Sequence, residues 1–114
     1  MLIKHNLLRM YRKQSNLMQA DIAYILGLPN YTRISRWEQG HRHPPLKMLI
    51  GYTLLFGVPI EALYKRQKTE LLTEMIDRAS RQMKKLQDSQ PDNKTRKRIV
   101  FLQALLNRLD MPAQ

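Results

Sequence analysis

The stretch QADIAYILGLPNYTRISRWEQG, residues 19–40, decides the fold. Ile22, Ala23 and Leu26 recur at helical spacing, so Gln19 to Leu26 reads as a short helix with one apolar side. Gly27-Leu28-Pro29-Asn30 is turn chemistry, and Asn30 suits the cap of whatever follows. Tyr31 to Gln39 gives a second short helix. Gly40 closes it, because a residue without a Cβ takes the left-handed conformation at least cost. The small side chain of Ala23 lets the two helices approach.

The same period extends in both directions. Residues 4–14 predict a first helix with Leu7, Leu8 and Tyr11 on one side, and Asn16 is suited to a left-handed stop after it. Beyond the loop at His41-Arg42-His43-Pro44, Pro45 opens a fourth helix that ends at Phe56-Gly57, and Pro59 opens a fifth. That fifth segment lacks an obvious stop. Leu63, Tyr64, Gln67, Leu71, Met75, Ala79, Met83 and Leu86 form a stripe at spacings of three and four, with no Gly or Pro before Pro91. A polar turn over 88–93 precedes a last helix, about Thr95 to Leu109, carrying Ile99, Phe101, Leu102, Leu105, Leu106 and Leu109. No run alternates as a strand does. The expectation is an all-α chain, with five helices over 1–64 and a helical hairpin over 65–114.

Bulk properties narrow the function classes. The 114 residues suffice for one compact domain and an appendage. No apolar run approaches the roughly 20 residues of a membrane span, and the start lacks the pattern of an export signal. Cysteine is absent, which removes disulfide, thiolate-metal and redox chemistry. A cytoplasmic protein with no membrane association is expected. The formal net charge of +11 points to a polyanionic partner, with nucleic acid first. The excess is spread along the chain, so no detached basic tail carries it.

Two short helices around a Gly-containing turn, the second and third of five, are the layout of a helix-turn-helix. One helix lies over the phosphate backbone with its amino end toward a phosphate, and the turn angles the next into the major groove. Gln19-Ala20-Asp21-Ile22-Ala23, Gly27, Ile34-Ser35-Arg36-Trp37-Glu38-Gln39-Gly40, Pro44-Pro45-Leu46 and Phe56-Gly57-Val58 closely resemble the Cro/CI-type (XRE-type) helix-turn-helix family. The likeness spans roughly Leu7 to Tyr64 and implies a lambda-repressor-like DNA-binding domain. Two departures stand out. Met18 occupies a position usually held by Ser or Thr, and the turn between Gly27 and Ile34 is one residue longer than in the commonest pattern.

The resemblance assigns roles. Tyr31, Thr32 and Arg36 would face the bases, Arg36 as a reader of guanine and Thr32 through its hydroxyl or methyl. Gln19, Arg33, Gln39, Gly40, His41 and Arg42 would contact phosphates. Glu38 would pair with Arg12, since an unpaired acid beside DNA is counterproductive. Trp37, opposite Arg36, is expected in the core with Ile22, Leu26, Leu46 and Leu49.

His41 and His43 lack a third ligand nearby, so no metal or other cofactor is expected. No serine sits in a nucleophile elbow and no glycine-rich phosphate loop occurs, so an enzyme is not expected. The apolar rows of 65–114 exceed what a two-helix hairpin can cover. Leu71, Met75, Ala79, Met83, Leu86, Leu102, Leu106 and Leu109 are therefore expected at a homodimer interface. The function implied is a dimeric repressor occupying a two-fold related operator in double-stranded DNA. An antitoxin that binds a toxin protein and represses its own operon is one alternative, marked by a toxin gene next door. A protein-interaction module without DNA binding is another, marked by the absence of salt-sensitive DNA binding.

Overall fold

The structure, a computed structural model, describes residues 6–89 and 92–110. Among them every regular element is a helix: α1 (Leu8–Gln14), α2 (Gln19–Ile25), α3 (Thr32–Gln39), α4 (Leu46–Phe56), α5 (Ile60–Leu63), α6 (Lys65–Gln87) and α7 (Asn93–Leu109). The fold class is as expected. The chain divides into two compact units, 1–68 and 69–114.

In the first unit the apolar sides of the short helices converge on one core of Leu8, Ile22, Ala23, Ile34, Trp37, Tyr52 and Leu63. Helix α3 packs on both α1 and α2. An aromatic ladder ties it to the rest. Trp37 meets Tyr52 edge-on with centroids 6.3 Å apart, Tyr52 stacks on Phe56 at 5.9 Å, and Phe56 lies 5.6 Å from Tyr11. Each such pair adds about 0.5–1.5 kcal/mol beyond its buried area. Asn6 fastens the same helix at the same residue, donating from Nδ2 to the Trp37 carbonyl while its Oδ1 accepts from the Leu8 N–H. Helix α4 comes close to the end of α2 at Gly51, where a Cβ would lie 2.5 Å from Leu26 Cδ2.

The turns follow their chemistry. Asn16 has φ 60°, and Gly27, Gly40 and Gly57 have φ of 78°, 79° and 65°. The last three each follow or close a helix, so L side chains there would be strained. Asn30 Oδ1 accepts from the Thr32 N–H at 3.0 Å and starts α3 one residue later than the sequence suggests, with Tyr31 at the cap position. Met18 offers α2 no side-chain cap. Asp21 partly compensates by accepting the Met18 N–H at 2.8 Å.

Three expectations need correction. Leu46 does not join Trp37 in the core; it is exposed, and Tyr52 takes that place instead. The fifth helix does not run on through Tyr64. Leu63 gives its carbonyl to the Leu7 N–H at 2.9 Å, which removes the acceptor a continuous helix would use, and Tyr64 leaves helical geometry at φ −133°, ψ 52°. The predicted first helix begins at Leu8, not residue 4, and residues 4 and 5 lie outside the described residues.

In the second unit α6 and α7 are joined by residues 88–92, with Asp92 capping α7 by accepting the Thr95 N–H at 2.6 Å. That hydrogen bond holds the Asp92 carboxyl below its ordinary pKa. Leu86, Thr95 and Leu106 are buried, while Leu72, Ile76, Ala79, Met83, Ile99, Leu102, Leu105 and Leu109 are half-buried. Leu71 and Met75 are exposed, one position off the protected row. No helix among the described residues is long and apolar enough to cross a membrane.

Candidate nucleic-acid interface

Helix α3 presents two sides because 3.6 residues make a turn. Ile34 and Trp37 point into the core, and Thr32, Arg33, Arg36 and Gln39 are exposed on the opposite side, with Tyr31 exposed at the cap. Arg33 and Arg36 line an open cleft of about 420 Å³ with Trp37, Arg42, His43 and Pro45. Three guanidiniums thus border one concave surface whose lining holds no acid. Beside this surface the backbone N–H groups that end α3 are spent on the helix itself. Gly40 is buried and its N–H donates to the Trp37 carbonyl, while the His41 N–H donates to that of Arg36. The amide of Gly40 that a phosphate would need is therefore already bonded. The His41 and Arg42 side chains remain exposed.

On the other flank of α3 lies a smaller cleft of about 250 Å³, lined by Arg9, Arg12, Gln19, Glu38 and Gln39. Arg12 and Glu38 face each other there: Arg12 Nε donates to Glu38 Oε2 at 2.6 Å, and Nη2 to Oε1 at 3.0 Å. The Arg12 side chain is 12% exposed and that of Glu38 only 3%. Gln19 Nε2 donates to the same Oε1 at 3.1 Å, so its amide nitrogen is held toward Glu38. Arg12 also donates from Nη1 to the Leu17 carbonyl, closing the turn between α1 and α2. The hydrogen bond to Glu38 raises the Arg12 pKa above its ordinary value, keeping the guanidinium charged. The one acid on α3 is thereby neutralised and withdrawn, and the exposed side of the helix stays positive.

Arg9 is the residue that sequence reading missed. It is exposed, one turn ahead of Arg12, and borders the cleft with Gln19 and Gln39. The available signal was the i, i+3 spacing of the two arginines on one helix. Sequence alone gives His43 no role beyond a poor metal pair with His41. Its ring instead meets that of Tyr64 at 5.7 Å and 65°. Burial pushes the Tyr64 phenol up to about 12. Among the described residues no three His, Asp or Glu side chains come together as a metal site.

Residues 8–63 match the helix-turn-helix family model. An uncharacterized HTH-type transcriptional regulator of Methanocaldococcus jannaschii is 39% identical over 59 residues, covering 52% of this chain and 88% of that protein. No solved structure matches the chain. With its Gly27 turn, its outward α3 and the withdrawn Glu38, the chain belongs to the Cro/CI-type (XRE-type) helix-turn-helix family.

Proposed function

We propose that this protein is a DNA-binding transcriptional regulator that acts as a dimeric repressor, occupying a two-fold related operator. The observation that carries the reading is the acid-free surface of Arg33, Arg36 and Arg42 around the exposed side of α3. Arg36 lies one turn into the helix and reads a base edge, with Thr32 and Tyr31 beside it at the amino end. Arg33, Arg42, His41 and Gln39 fasten to phosphates, as does Gln19 from the start of α2, and these contacts set register without carrying sequence information. The relative's designation as a transcriptional regulator supports the same reading.

Dimerisation is assigned to the hairpin. Leu71, Met75, Val100 and Phe101 remain exposed on it. Phe101 also borders an apolar hollow of about 280 Å³ with Leu86 and Leu102. A second hairpin laid on this side makes a four-helix arrangement, and two-fold pairing is the common form of such oligomers.

Recovery of binding sites from a randomised duplex pool, followed by a salt titration, tests the proposal. A dimer neutralising about 6–10 phosphates gives a log–log salt slope of about −5 to −9, and a slope shallower than about −2 would refute docking through this surface. Arg42→Ala should weaken all sequences about equally. Arg36→Ala should also relax one base position per half-site, by about 1–3 kcal/mol of discrimination. A chain ending at Lys68 should sediment as a monomer at micromolar concentration; a dimer would move the main interface into the first unit.

A further inference from the structure

Positive charge in the second unit is gathered at one end of the hairpin. Residues 81–98 hold seven Lys or Arg against two acids, whereas the rest of 69–114 holds two against four. Upstream on α6 the cations are paired with acids one turn back, Arg78 with Glu74 at 3.5 Å and Arg81 with Asp77 at 3.1 Å. At the closed end the pairing stops. Lys84, Lys85, Lys94, Arg96, Lys97 and Arg98 are all exposed, and among the described residues none is in an ion pair. Of the two acids nearby, Asp92 is spent on capping α7. Four of the six cations stand in the first six positions of α7. That end of a helix is its positive pole and favours acids, yet α7 has none in its first turn. Neither packing nor helix stability accounts for this placement.

Both helices contribute to the cluster. Gln82 and Leu86 of α6 line one hollow with Arg98 and Phe101 of α7, so the end of one helix lies beside the start of the other. A helix turns about 100° per residue, which puts Lys84 about 200° round from Gln82, and Arg96 about 200° round from Arg98. Lys84 and Arg96, with Lys97 next in sequence, therefore face away from the hollow. That side is left free by the hairpin pairing proposed above.

We infer that this end of the hairpin is a second polyanion site, which grips the phosphate backbone of duplex DNA flanking the site under α3. The inference rests on the DNA-binding reading and adds a separate contact to it. Unpaired, exposed cations with no acid among them suit a backbone of phosphates, which exchange their counterions for them. A duplex held by the first unit stands at millimolar effective concentration for any other part of the same chain, so a weak second contact forms on that duplex. With Leu71, Met75 and Phe101 committed to pairing, a lipid surface would lack the apolar face that anchors a helix beside its charges.

The test compares two duplexes that carry the site recovered from the randomised pool. One is bare, and the other adds about 20 base pairs of arbitrary sequence on each side, two turns of duplex. Helix α6, with 23 residues, is about 35 Å long, so the added turns cover the reach of the hairpin whichever way it lies. At about 0.1 M salt the full chain should bind the long duplex at least tenfold more tightly, with a log–log salt slope steeper by about 2–3 per copy. The triple variant Lys84→Gln, Arg96→Gln, Lys97→Gln should bind the bare duplex as before and lose most of the gain. Because the readout is the ratio between duplexes, a general loss of fold or pairing cancels from it. A control triple, Lys68→Gln, Arg78→Gln, Arg108→Gln, removes equal charge elsewhere on the same two helices and should keep the gain. No gain in the unaltered chain, or an equal loss in both triples, would overturn the inference while leaving the DNA-binding reading intact. So would binding to vesicles of about one-quarter phosphatidylserine that the first triple abolishes and excess long duplex does not displace. A pool that yields no retained site fails the DNA-binding reading, and this inference with it.

Discussion

Replacing Arg12 by Met, Glu38 by Leu, and both together gives a double-mutant cycle whose outcome follows from the geometry of the pair. Glu38 is 3% exposed and accepts three hydrogen bonds, two from Arg12 and one from Gln19. Arg12→Met removes the two charged donors and leaves a desolvated carboxylate with one neutral donor. Breaking a buried pair in this way costs about 3–5 kcal/mol. The reverse variant, Glu38→Leu, leaves a guanidinium that is 12% exposed and still bonded to the Leu17 carbonyl, so its cost falls at the low end, about 2–3 kcal/mol. The double variant strands no charge and should lie within about 1–2 kcal/mol of the unaltered chain. The coupling, the two single costs less that of the double, is then about 3–7 kcal/mol. Urea unfolding followed by fluorescence is a clean assay, because Trp37 is the single tryptophan and is buried in the core of the first unit. Stability lost by the two single variants that sums to that of the double within about 0.5 kcal/mol would refute the pairing argument.

Two further outcomes follow from the structure. Met18→Ser supplies the side-chain cap that α2 lacks and completes the reciprocal arrangement begun by Asp21, so the urea midpoint should rise by the equivalent of about 1 kcal/mol; an unchanged midpoint would show that the start of α2 is already satisfied. Tyr52 and Tyr64 have phenol pKa values raised by burial, that of Tyr64 to about 12, so the folded state holds these protons after the unfolded chain has released them at about 10. The stability they contribute is fully present below pH 10 and is lost as pH rises through 12. Tyrosinate absorbance of these two groups should appear together with the loss of the buried Trp37 signal, and their ionisation with the core intact would contradict the assignment.

The sequence by itself determined the helices of the first unit and the surface they present. Gly27, Gly40 and Gly57 occupy the left-handed positions that only a residue without a Cβ takes cheaply, so the punctuation was legible residue by residue. The side of α3 that bears Thr32, Arg33 and Arg36 was equally legible, because Ile34 and Trp37 fix the phase of the helix. Tertiary structure decided what local pattern cannot encode. Nothing near Tyr64 breaks a helix; the break comes from Leu7, nearly sixty residues earlier, taking the Leu63 carbonyl. Leu71 and Met75 fit a helical stripe as well as Leu72 and Ile76 do, and only the neighbouring packing chooses between rows one residue apart. Leu46 shows that the burial of apolar residues is a tendency that holds one way only. The core already had Tyr52 on the inner side of α4, and the outer row of that helix was left over. Periodicity states which residues share a face. Whether anything covers that face is set by partners far along the chain, or on another chain.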